Sequence, residues 1–146
     1  VNEKDALTTE MDAFITMMHN DHRKVEFLQN PAMLQYLHDF ARAAFEDELL
    51  RLSFLTIDNH KAAAFLSLVT PQKLWVYNAA WEPAFASSSP GWVLLAKEIE
   101  WAIAQGIREV DMMRGDEDYK YKFGAIDRYI MHTRCIPRWD GSSPKS

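Results

Sequence analysis

The 146-residue chain has one cysteine, Cys135, so no internal disulfide can form and a reducing compartment suits it. It has no apolar run of the ~20 residues that would cross a bilayer. Nor does its opening, Val1-Asn2-Glu3-Lys4-Asp5, carry a signal-like segment, so the expected location is cytoplasmic. Basic charge is also short: 16 Lys and Arg stand against 21 Asp and Glu, a net charge of -5. That balance argues against nonspecific binding to nucleic acid or to an anionic membrane. No Walker A loop, dinucleotide fingerprint or zinc motif is present. The five histidines are scattered; His19 and His22 can share a helical face, but no acidic or cysteine partner stands at ligand spacing, so no metal is expected.

What is present is an ordinary globular composition, 48% hydrophobic and 25% charged, in a length that suits one domain with a core. The expected organisation is a single domain over residues 1–138 and a disordered tail over 139–146. A first residue other than Met suggests a segment of a longer protein.

Periodicity sets out the elements. Thr9-Glu10-Met11-Asp12 reads as a capping box with Thr9 as N-cap, and Met11, Phe14, Ile15 and Met18 form one helical face. The polar stretch 19–22 ends that helix. Asn30-Pro31 then starts a second, whose apolar face runs from Met33 to Phe45. Alternation follows at Leu50, Leu52 and Phe54, and further strands read over 62–69 and 74–79, separated by turns at Asp58-Asn59-His60 and Pro71-Gln72. Two short turns make these three strands an antiparallel meander. After a loop over 81–88, Ser89 as N-cap and Pro90 as first residue open a helix with Trp92, Leu95, Ala96, Ile99, Ala102 and Ile103 inward, ended by Gly106. A strand over 107–113, a short helix over 116–123 and a last strand over 129–136 complete the order. The long helix crosses between two strands, the one place where parallel pairing is expected.

Two motifs carry a resemblance. Ser89-Pro90-Gly91 with Leu94-Leu95 fits S-P-G-x-x-L-L, and Arg114 to Gly124 fits R-G-D-E-x-Y-K-x-[KR]-[WF]-G without a gap. The chain thereby resembles the GNAT superfamily over roughly residues 14–130. Within it, the similarity is to the branch with CelD-type cellulose-biosynthesis proteins and the related FemAB transferases. The resemblance implies an α/β domain with a largely antiparallel mixed sheet, one crossover helix and flanking helices. FemAB-like relatives carry two such halves, and this chain resembles the C-terminal one.

The start of the crossover helix is a chemical candidate on its own terms, because its first N–H groups and its dipole favour an anion. Ser88, Ser89, Gly91 and Trp92 are the residues expected to meet a CoA pyrophosphate there, and the resemblance places that group at this point. Lys122 is a further phosphate candidate, and Asn78 a candidate to position the acyl carbonyl. Acyl transfer from a thioester needs a donor for the leaving thiolate, and Tyr121 or Tyr119 supplies a hydroxyl. The two are two residues apart on a helix, so they point in different directions, and Tyr121 is preferred. Glu82 and Asp111 are candidates for the base that takes the amine proton.

The expected activity is N-acyl transfer from acetyl-CoA or another acyl-CoA to an amine. One alternative is a FemAB-like transferase drawing on aminoacyl-tRNA, suggested by Lys122-Phe123-Gly124. Another is a noncatalytic half-domain that assembles with a second GNAT-like half or with a copy of itself.

Overall fold

The computed structural model describes residues 4–135. They fall into two compact units that divide after Gly115. The first unit holds α1 (Lys4–Met18), a 3-10 turn (His22–Lys24), α2 (Val25–Gln29) and α3 (Pro31–Glu46). The strands β1 (Leu50–Ile57), β2 (His60–Val69) and β3 (Lys73–Trp81) come next. A second 3-10 segment (Pro83–Ser88), α4 (Pro90–Ala104) and β4 (Glu109–Asp111) complete it.

The sheet runs β1-β2-β3-β4, antiparallel across the first three strands and parallel between β3 and β4. The β1–β2 hairpin turns through Asp58 and Asn59, both left-handed at φ 50° and 65°, as a two-residue turn that follows the strand twist requires. β2 is central, and Ala62 to Ser67 are all buried. That unbroken small and apolar run suits a strand covered on both faces. α1 and α3 cover one face. Their Met11, Phe14, Met18, Leu37 and Ala41 pack with Leu52, Ala64, Leu66 and Ala80 of the sheet. Each large side chain removed from water there contributes about 1.5–3 kcal/mol. α4 covers the other face with Leu94, Leu95 and Ala102.

Several expectations change. α1 starts a turn earlier than the Thr9 capping box suggests, because Leu7 extends the apolar stripe upstream and is itself buried. Asn30 caps α3 as expected, accepting from the Ala32 N–H at 3.0 Å. Ser89 holds the N-cap position of α4 but makes no side-chain cap, since it leaves the preceding 3-10 turn left-handed at φ 47°. The buried face of α4 is rotated: Trp92, Ala96 and Ile103 are exposed, while Glu98 is buried. Arg51 of β1 draws Glu98 inward with bonds of 2.6 and 3.1 Å, and its guanidinium lies 3.5 Å from the centre of the Trp101 ring.

The fourth strand shortens to three residues. The second unit holds α5 (Asp118–Lys122). No strand forms over residues 129–135; Ile130 and Met131 are 97% and 85% exposed, and an extended segment without a partner leaves its backbone bonds unmade. Residue 136 and the tail lie outside the described residues. No helix among the described residues is long and apolar enough to cross a membrane.

Candidate active site

β3 and β4 pair only from Lys73 to Trp75 against Glu109 to Asp111. Beyond that point the described residues give β3 no neighbour on its β4 side, so residues 76–81 present an open edge. A bulge shapes that edge. Leu66 pairs with Asn78 and Ser67 with Val76, which leaves Tyr77 as the extra residue. The Tyr77 ring packs on Phe40 of α3 at 4.8 Å. Burial, with a hydrogen bond to Tyr36 second, pushes its hydroxyl up to about 12. Past the bulge, Glu82 donates its N–H to Ala62 of β2. By two-residue alternation Ala80 and Asn78 face β2 as well, while Ala79 and Trp81 turn their main-chain groups to the open side.

Of the sequence-predicted residues of the first unit, Asn78 lies on this segment and Glu82 directly after it, whereas Ser88 to Trp92 follow the 3-10 segment and Asp111 is on β4. Asn78 sits at the bulge, and its Oδ1 accepts the Ala79 N–H at 2.9 Å. Glu82 follows β3 directly and accepts from Asn20 Nδ2 at 3.2 Å. Asp111 ends the parallel pairing, bound by Lys73 Nζ at 2.8 Å and by the Met113 N–H at 2.8 Å. Ser88, Ser89, Gly91 and Trp92 form the entry to α4. The Trp92 and Val93 N–H groups are already taken by the Ser89 carbonyl, so Gly91 is the first-turn residue whose N–H has no partner among the described residues. A side chain added at Gly91 would meet nothing within 4 Å, so the fold does not demand glycine there. The donor set fits an extended chain with an amide along β3 and one anionic group at α4, more sparsely than a glycine-rich loop would.

Tyr119, Tyr121 and Lys122 belong to the second unit, all on α5. Tyr121 donates its hydroxyl to Asp127 at 2.8 Å, and this bond is the main reason its pKa is raised. Gly115 turns the chain at φ 112°, as expected of a sharp turn. The N-cap residue of α5 is Glu117, whose side chain makes no cap bond and pairs instead with Lys120 at 2.8 Å.

Two residues at the open edge were not foreseen. Lys24 Nζ donates to Asn78 Oδ1 at 2.6 Å and to the Ala79 carbonyl at 2.5 Å, and Asn20 Nδ2 reaches the Trp81 carbonyl at 3.4 Å. The polar stretch after α1 marked a break, but nothing in it pointed to β3. A cavity of about 840 Å³ lies elsewhere, beside β1, lined by Arg51, Phe54, Lys61, Glu98 and Trp101. β2 separates it from β3, and the charged groups lining it are already in ion pairs, so it is not the candidate site. Among the described residues no group of three or more His, Cys, Asp or Glu is placed to hold a metal ion.

β3 and β4 thus form a parallel pair that parts midway, with the crossover helix α4 joining the two strands. The family model described as an acetyltransferase (GNAT) domain matches residues 3–121, and the chain belongs to that family. Two solved structures share the fold. One is a possible acetyltransferase from Clostridium difficile 630, with TM-score 0.64 and 12% identity over 88% of this chain and 93% of that one. The other is the aminoglycoside acetyltransferase meta-AAC0020 from an uncultured soil metagenomic sample, in complex with sisomicin. It aligns with TM-score 0.62 and 14% identity over 91% of each chain. No curated protein matches the chain.

Proposed function

We propose that the chain is an acyl-CoA-dependent N-acyltransferase acting on an amine. The observation that carries this reading is the open edge of β3 over residues 76–81, next to a short parallel pairing and leading into α4. An open edge offers alternating N–H and C=O groups to any extended chain with amides of its own. The pantetheine arm of CoA is such a chain. The positive end of α4 and the Gly91 N–H would take its phosphates.

The chemistry then needs few groups. The amine nitrogen bonds to the thioester carbon, the C–S bond breaks, one proton leaves the amine and one reaches the thiolate. Asn78 and the β3 backbone would hold the acyl carbonyl and stabilise the charge that develops on its oxygen. Glu82 is favoured over Asp111 as the proton acceptor, because Asp111 is held by Lys73 and by a backbone N–H, whereas Glu82 meets one neutral amide. The resemblance assigns the proton for the thiolate to Tyr121 or Tyr119, and a phosphate contact to Lys122. A tyrosine hydroxyl is protonated at neutral pH, and the bond to Asp127 pushes the Tyr121 pKa further up.

Calorimetric titration with acetyl-CoA and with desulfo-CoA tests this. Binding in the micromolar range by the intact chain, lost in Gly91→Trp with the melting temperature unchanged, supports the reading. Absence of binding both by the intact chain and by a variant lacking the Lys24 ammonium refutes it, and transfer supported by charged tRNA would replace it.

A further inference from the structure

The open edge of β3 is not bare. Ala79 is the first residue past the bulge whose main-chain N–H and C=O both face the missing neighbour, and side chains occupy both. The Asn78 carboxamide oxygen takes the N–H at 2.9 Å, and the Lys24 ammonium meets the C=O at 2.5 Å and that same Asn78 oxygen at 2.6 Å. The pair reproduces one rung of a strand, and no ligand can pair with Ala79 while it is in place.

The Lys24 end of this arrangement is costly. The ammonium is held by two neutral oxygens and makes no ion pair with any described residue. Burial is the main influence on its amine and pulls its pKa below the usual lysine range, with Asp21 partly opposing and Arg23 adding to the fall. A partly desolvated cation whose hydrogen-bond partners are neutral favours any state that returns it to water. The turn that carries it does not depend on it. Asp21 caps that turn through the Arg23 N–H at 3.0 Å and holds the Arg23 guanidinium at 2.9 and 2.8 Å. The Lys24 side chain can therefore swing out on its own rotatable bonds with the turn intact.

We propose that Lys24 is a displaceable plug, which with Asn78 closes the Ala79 hydrogen-bonding pair in the free protein and gives way to an extended, amide-bearing acyl-thioester chain. The identity of that ligand rests on the acyl-CoA reading above; the plug itself rests on the occupied edge. Binding has to break the Lys24 bonds first, so removing them favours the ligand.

The test is calorimetric titration of the intact chain and of Lys24→Met with acetyl-CoA. Methionine keeps the length and apolar stem and removes the donor. The variant is expected to bind about tenfold tighter, the net worth of one charged hydrogen bond. Binding by Lys24→Met alone also supports the plug, as full self-closure in the intact chain. Binding by both with equal or weaker affinity in the variant overturns the plug and leaves the acyl-CoA reading standing. Binding by neither overturns both. Should the variant not fold, selectively labelled lysine in the intact chain gives the answer. Saturating acetyl-CoA should move the Lys24 side-chain resonances to solvent-exposed values, and an unmoved Lys24 overturns the plug.

Discussion

Arg51→Ala should be the more damaging half of the pair that docks α4 on the sheet. Glu98 is 2% exposed and its carboxylate takes two bonds from Arg51, whose side chain is 26% exposed. Removing the arginine strands a charge in the interior, which costs about 3–5 kcal/mol. The cavity beside β1 is lined by both residues and admits water, which puts the expected value near the lower end, about 3 kcal/mol. Glu98→Gln keeps the shape and one acceptor, while Arg51 can turn to solvent, so about 1–2 kcal/mol is expected. Replacing both, Arg51→Met with Glu98→Leu, removes the charges together and should cost less than Arg51→Ala alone. Urea unfolding with an unchanged slope gives these values, and the melting temperature of Arg51→Ala should fall by roughly 10 °C. The reasoning fails if Glu98→Gln is costlier than Arg51→Ala, or if Arg51→Ala costs under about 1 kcal/mol.

Other expectations rest on single positions. The Ser67 hydroxyl is fully buried with no hydrogen-bond partner among the described residues, so Ser67→Ala should be neutral or stabilising by up to about 1 kcal/mol in the same assay; a clear loss would reveal a partner. Asn30→Ala removes the cap of α3 and should cost about 1 kcal/mol, with no change if the cap is idle. Tyr77 should titrate near 12 by carbon-detected NMR, and Tyr36→Phe should lower that midpoint; a midpoint at 10 would contradict its burial. Because its pKa is raised on folding, the neutral phenol stabilises the fold below pH 10, and that contribution is lost as pH rises from 10 towards 12.

Local signals explain what was legible. Asn30-Pro31 carries its own cap chemistry, and Asp58-Asn59 its own turn chemistry, so both boundaries could be read from neighbouring residues. The parallel placement of β4 followed from the crossover helix. Misreadings arose where a distant residue decides. Arg51 rotates α4 by drawing in Glu98, which no pattern within the helix announces. The bulge at Tyr77 depends on its register against β2, and it sets which way Ala79 faces. Lys24 reaches Asn78 of β3 from 54 positions away and lies past the polar stretch 19–22 that read as a helix end, so nothing local announced its role.

The most direct test of the account is the amide spectrum of the nitrogen-labelled chain during titration with acetyl-CoA. The account predicts saturable shifts concentrated at residues 76–82 and at Gly91, with Ala79 the most affected. Shifts gathered beside β1 at Leu50 to Leu55, or no shifts at saturating ligand, would contradict it.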